Sequence, residues 1–216
     1  VGLAKCRFAA EDCEKAIEAC DFALAADDKC GEAYAYRGHS YFYLNNSDAA
    51  IEDYKKAIKY KALPPEMGYM FLGLTYSNKE AWKEADDYYQ RVIDRFIEEG
   101  LGNSPLLIDT YTNKAVAASR LGKYEEAHQL CKKAIAIQPD DPAIYLAEGK
   151  LYIQENQKKK AVKSFDKALT MEPSAEMWYM VASAYSDAMK VSIPSAKISF
   201  WTCYPAPTKR KKENRC

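Results

Sequence analysis

The chain is 216 residues long, 48% hydrophobic and 29% charged, a balance that suits a globular fold in water and excludes collagen-like, disordered and membrane-embedded classes. Lys plus Arg and Asp plus Glu number 31 each, so no global field gathers a nucleic acid. No apolar run approaches the roughly 18 residues of a membrane span, and the opening VGLAKCRFAAEDCEKAI is broken by charges where a signal peptide needs an apolar stretch. Val1 in place of Met leaves room for an upstream portion. Seven cysteines (Cys6, Cys13, Cys20, Cys30, Cys131, Cys203, Cys216) form an odd set without a C-x-x-C pair. They suit neither a disulfide framework nor a zinc site, and point to reduced thiols in a cytoplasmic location.

An internal repeat organises the chain. A short first copy, residues 1–30, carries Ala16, Cys20 and Ala23, with Arg7 where later copies place an aromatic. The second, 31–65, has Tyr34, Gly38 and Tyr41, then Ala50, Tyr54 and Ala57. The third, 66–107, repeats this as Tyr69, Gly73 and Tyr76, then Ala85, Tyr89 and Val92. It also holds about eight extra residues in RFIEEGLGNSPLL, expected to form an extended helix, a turn at Gly100 to Gly102, and a new helix capped by Ser104 with Pro105 in its first turn. The fourth, 108–141, has Tyr111 and Ala115, then Ala127, Cys131 and Ala134. The fifth, 142–174, has Tyr145, Gly149 and Tyr152, then Ala161, Phe165 and Ala168. The sixth, 175–208, has Trp178, Ala182 and Tyr185, then Ala196, Phe200 and Cys203, and the basic tail occupies 209–216.

The alanines that open each second segment are spaced by 34, 35, 42, 34 and 35 residues. Within each segment the i, i+4, i+7 spacing stacks three core side chains on one face of a helix. In the preceding segment a small residue stands four after the aromatic, where it lets two backbones approach. The pattern resembles the tetratricopeptide repeat family, whose unit of about 34 residues carries W-x2-L-G-x2-Y, then Ala, an aromatic and Pro. Pro139 and Pro173 occupy the closing position, with Asp141 and Ser174 placed to cap the following helices. The resemblance implies an all-α fold, a right-handed α-solenoid of antiparallel helix pairs about 12 to 16 residues long.

Catalytic constellations are not visible. His39 and His128 fall in different repeats, and no phosphate-binding glycine loop or metal-ligand spacing occurs, so no enzyme activity, metal or cofactor is expected. Acidic pairs such as Asp86/Asp87 and Glu98/Glu99 read as helix ends and solvated surface, and the tail TKRKKENRC as a solvated terminus. The family resemblance implies that the first helix of each pair lines a concave groove for a protein or peptide partner. The expected groove residues are His39, Phe42, Met67, Met70, Leu74, Thr112, Val116, Leu146, Lys150 and Ile153, an apolar centre suited to an amphipathic helix or extended peptide. Chaperone-binding relatives clamp a terminal carboxylate with Lys, Asn and Arg. Here Asn113 alone matches, between Met70 and Leu74 on one side and Ala143 and Ala147 on the other, so no such clamp is expected. A scaffold or adaptor is the expected function; the alternatives are a regulatory segment of a larger enzyme or transcription regulator, and an RNA-binding helical repeat.

Overall fold

The computed structural model describes residues 1–10, 12–102 and 104–190, and these residues form helices and turns without a strand. In chain order the helices are α1 Gly2–Ala9, α2 Cys13–Ala26, α3 Gly31–Tyr43, α4 Ser47–Lys59, α5 Pro65–Asn78, α6 Trp82–Glu98, α7 Pro105–Arg120, α8 Tyr124–Ile137, α9 Pro142–Gln154, α10 Lys158–Met171 and α11 Ala175–Lys190. The second helix expected in the sixth copy, with Ala196, Phe200 and Cys203, and the basic tail lie outside the described residues.

Two helices depart from the expected length. Helix α1 has 8 residues and α6 has 17, because the extra residues after Arg95 continue α6 before Gly100 turns the chain at φ +68°. Ser104 stands at the N-terminus of α7, but its side chain makes no capping bond, and Pro105 with its preset φ opens that helix. Asp141 and Ser174 do cap. The Asp141 carboxylate accepts from the Ala143 N–H at 2.9 Å, and the Ser174 hydroxyl from the Met177 N–H at 3.1 Å.

One turn closes four successive hairpins. Its middle residue takes a left-handed conformation at Asn45 (φ 57°), Glu80 (58°), Gly122 (76°) and Asn156 (58°). The next N–H then returns to the carbonyl five residues back, from Asn46 to Tyr41 at 2.8 Å, Ala81 to Tyr76 at 2.9 Å, Lys123 to Ala118 at 2.9 Å and Gln157 to Tyr152 at 2.8 Å. Such a tight reversal makes the flanking helices antiparallel neighbours.

Inside each hairpin, one pair of side chains sets how closely the helices pack. A Cβ added to Gly38 would meet the Tyr54 ring at 3.1 Å, one on Gly73 the Tyr89 ring at 2.5 Å, and one on Gly149 the Phe165 ring at 2.3 Å. Where the first helix instead carries Ala, its partner is small: Ala4 shares a core with Cys20, and Ala115 with Cys131. A ring therefore stands only where the facing residue has no Cβ, and where the facing residue has a methyl its partner is a small thiol.

A cation over an aromatic recurs at the edge of the hairpins. Lys56 lies 4.9 Å from the Tyr34 ring, Arg91 6.0 Å from Tyr69, Lys133 5.6 Å from Tyr111 and Lys167 4.0 Å from Tyr145. Each cation follows its ring by the same interval in sequence, so the contact is a property of the repeat.

First helices pack on the first helices of neighbouring hairpins: α1 on α3, α5 on α7, α7 on α9 and α9 on α11. No pair of second helices packs to a comparable extent among the described residues. Helix α3 reaches α5 more sparsely, through the His39 and Phe71 rings at 4.6 Å, and the first helices so form an inner wall and the second helices an outer layer.

The packing pair predicts a measurable coupling. Cys131→Phe forces a ring against the Ala115 methyl and should destabilise by about 1 to 3 kcal/mol; adding Ala115→Gly should recover much of that loss. Urea unfolding of the two single variants and the double variant gives the coupling, and additive losses would contradict the pairing.

Candidate functional site: the inner wall of the first helices

The wall divides into an aromatic end and a more polar end. At the aromatic end, Phe8 of α1 lies 6.2 Å from the Tyr36 ring, 5.8 Å from His39 and 5.6 Å from Tyr43, all on α3. His39 continues the series to Phe71 of α5 at 4.6 Å, and rests below on Tyr54 of α4 at 5.3 Å. Phe42 stands edge-on to Tyr43 at 5.9 Å. Rings from four helices thus touch one another across three hairpins.

His39 is the electrostatic hinge of this group. Burial pushes its imidazole down from 6.5 to about 4, so it is neutral at physiological pH. Its Nδ1 shares a hydrogen bond of 3.0 Å with the Tyr54 hydroxyl, whose own titration burial pushes upward. Neither group is a proton shuttle at neutral pH.

The polar end is built by α7 and α9. Val116, Ser119, Lys150 and Gln154 line a narrow cleft with Ala115, Ala147 and Leu151. The Ser119 hydroxyl donates to Gln154 Oε1 across it. Asn113 spends its amide N–H on the Asp109 carbonyl at 2.8 Å, and the Thr112 hydroxyl donates to the Ile108 carbonyl at 3.0 Å. The Asp109 carboxyl is pushed up by burial and, secondarily, by Asp141.

The expected groove residues fall into three groups. His39, Phe42, Leu74, Thr112, Val116, Lys150 and Ile153 are half-buried, and Met67 is 36% exposed. Met70 and Leu146 each keep only 6% of their surface. Met70 packs toward α7, where the Thr110 hydroxyl meets its sulfur at 3.6 Å, and Leu146 shares a core with Met177 and Val181 of α11. The structure joins His39 to Phe42 through the Tyr43 ring and Phe8, and Val116 to Lys150 in the cleft; it does not bring Met67 and Ile153 to one place.

Sequence reasoning passed over Phe8, Tyr36, Tyr43 and Phe71. The signal was present, since Tyr36 and Phe71 each stand two residues after the aromatic that opens the repeat. Two residues is about 200° round a helix, which turns a side chain from the packed face onto the wall. Among the described residues no group of three or more His, Cys, Asp or Glu could hold a metal ion. His128 is engaged by Glu155, Nε2 to Oε2 at 3.0 Å.

A solenoid of helical hairpins whose first helices form an inner wall defines the class of helical-repeat proteins. Tetratricopeptide repeat profiles match residues 31–62, 66–140 and 119–184, and the chain belongs to the tetratricopeptide repeat family. Over 155 residues, 64% of this chain, it is 29% identical to the human "Protein O-mannosyl-transferase TMTC3", of whose length the match spans 17%. Among solved structures, MamA is 25% identical with a TM-score of 0.63, covering 79% of this chain and 95% of MamA. YrrB, described as a TPR protein with an unusual peptide-binding site, is 20% identical with a TM-score of 0.61, covering 85% of this chain and 88% of YrrB.

The neutral His39 gives a pH dependence with a definite sign. The unfolded imidazole takes a proton below 6.5 and the folded one only below about 4, so the contribution is whole above 6.5 and is lost as pH falls toward 4. The loss is on the order of 3 kcal/mol. Thermal melts between pH 7 and 4 should show a steeper fall for the native chain than for His39→Gln; parallel curves would contradict the buried neutral state.

Proposed function

We propose that the chain is a non-enzymatic scaffold or adaptor that receives a segment of a partner protein along the inner wall. The observation that carries this reading is the row of half-buried apolar and aromatic side chains, Phe8, Tyr36, Phe42, Phe71, Leu74 and Val116, on the layer that the outer helices leave open. Such a row offers apolar area to a partner without exposing enough of it to unfold the hairpins. YrrB, a structural neighbour with a described peptide-binding site, supports the same use of the fold.

Finer parts of the proposal rest on the residues. Met70 and Leu146 act mainly in packing, so Leu74, Val116, Lys150 and the aromatic end carry the contact. Asn113, with its amide already bonded and with no Lys or Arg at the matching positions beside it, is not arranged to clamp a terminal carboxylate. The wall's mixture of Glu32, Asp109 and Glu176 with Lys150 does not form the basic track that RNA needs. No helix of the described residues is long and apolar enough to cross a membrane. One array over residues 1–208 with a separate tail belongs to this proposal too.

The partial span of TMTC3 favours a second reading for the whole protein, in which such an array is a recognition segment attached to a larger enzyme. The array's own task is unchanged by that. A reducing, cytoplasmic setting is the location that suits its cysteines: Cys6, Cys13, Cys20, Cys30 and Cys131 are free, and burial pushes the thiols of Cys20 to about 11 and Cys131 to about 12.

Two measurements test this proposal. Proteins captured on the purified chain should be lost with Leu74→Glu or Val116→Glu, and kept with Val162→Glu, which makes the same change at an exposed position of α10 in the outer layer. With helical content and melting temperature unchanged, equal loss from all three, or from none, would contradict the wall. Titration of the denatured chain without reductant should count seven thiols, and a shortfall of two or more would count against a reducing location.

A further inference from the structure

We infer that the aromatic end of the wall receives a proline-rich segment in an extended polyproline II conformation, lying along α3 across Tyr36, Phe8 and Tyr43. The inference rests on the groove reading above and names the partner's chemistry at one end of it. Ring packing comes first. The centroids of Phe8, Tyr36, His39, Tyr43 and Phe71 lie 4.6 to 6.4 Å from their neighbours, so the rings fill the space between one another. They leave a ridged platform rather than a hole. A platform recognises flat or ring-shaped groups laid upon it, whereas an anchor side chain from an amphipathic helix needs a pocket to enter.

Hydrogen-bonding chemistry separates the extended ligand from the helix. Tyr36 and Tyr43 engage other groups through their rings, and no described residue takes a hydrogen bond from either hydroxyl. Tyr43 is 67% exposed. Both hydroxyls are therefore donors facing outward. A polyproline II segment supplies acceptors that match, since its carbonyls make no internal hydrogen bond and its prolines carry no N–H. A helix laid on the same surface has already used its carbonyls internally and would cover the two hydroxyls without pairing them.

Spacing agrees. Tyr36 and Tyr43 stand two turns apart on one face of α3, about 10.5 Å along the axis. A polyproline II helix repeats every three residues, about 9.3 Å. Successive residues of one ligand edge thus fall near successive tyrosines, and Phe8 fills the interval at 6.2 Å from one and 5.6 Å from the other. Among the described residues no cation lies over any of these rings, which suits an uncharged stretch of chain; Lys5 and Arg7 are exposed on α1, the helix that carries Phe8.

The test uses the full chain and two synthetic probes, both acetylated and amidated: decaproline and an amphipathic Leu–Lys helix of similar length. Calorimetry should detect decaproline binding. Tyr36→Ala and Tyr43→Ala should each weaken it about tenfold, the order expected for one aromatic contact. Tyr43→Phe should lose less than Tyr43→Ala, and Val162→Glu on the outer layer should change little. Circular dichroism of each variant checks that the helices remain, and exposed Tyr43 is the substitution least able to disturb them. No decaproline binding, or binding indifferent to both tyrosines, overturns the inference. Binding of the Leu–Lys helix that both tyrosine variants abolish, without decaproline binding, overturns it while leaving the groove in place. Loss of the groove itself would be read separately, from captured partners insensitive to Leu74→Glu and Val116→Glu.

Discussion

How closely the two helices of a hairpin approach is fixed by one side-chain pair, and the inner wall depends on that distance. A ring packs against a glycine at Gly38/Tyr54, Gly73/Tyr89 and Gly149/Phe165, and a small thiol shares a core with a methyl at Ala4/Cys20 and Ala115/Cys131. Because a bulky ring is met only by bare backbone, and a methyl only by a small thiol, no pair wedges its hairpin open and successive hairpins can stack in register. A larger pair anywhere would splay one hairpin and tilt all that follow it. The wall would then lose the continuity that lets residues from α1, α3 and α5 touch.

Around this recurring pair the repeats diversify. The position three after the opening aromatic is Arg37, Leu72, Lys114 and Glu148 in turn. Arg37 makes a bidentate pair with buried Asp53 at 2.7 and 2.9 Å, Lys114 bridges Asp86 and Glu126, and Glu148 accepts from the Ser164 hydroxyl at 2.7 Å. Leu72 is simply buried. Arg37 also reaches Asp21 of α2, and Asp86 lies on α6, so each of these two cations ties its first helix both to its own second helix and to the preceding one. In a chain of near-identical units the difference between repeats at this position opposes exchange between hairpins, a role in pairing specificity rather than net stability.

The helical pairs, their order and their core stripe were legible in the sequence because each rests on short-range periodicity. Ala, a larger residue four on and a smaller one seven on can form only one face of a helix, and six copies repeat it. The wall was legible in part. His39, Leu74 and Val116 stand on it half-buried, while Met70 and Leu146, assigned to it by the same spacing, are almost fully covered. What covers them is the next first helix, α7 for Met70 and α11 for Leu146. The tilt between consecutive hairpins decides that, and no periodicity within one helix encodes it. The aromatic end was missed for a related reason: Phe8, Tyr36 and Phe71 are separate in sequence, and only the stacking of α1 on α3 and of α5 behind it assembles their rings.

The same constraint explains why the wall is left open. Packing within the hairpin uses the glycine or alanine face of each first helix, and packing between hairpins uses its flanks, which leaves one stripe per first helix with little cover among the described residues. The most direct measurement is photo-crosslinking, with a benzophenone amino acid placed in turn at Leu74 and Tyr43 on the wall and at Val162 on the outer layer. Covalent adducts to a shared set of partner peptides from Leu74 and Tyr43, and none of that set from Val162, are the result this account predicts. Adducts from Val162 with none from the wall would contradict it.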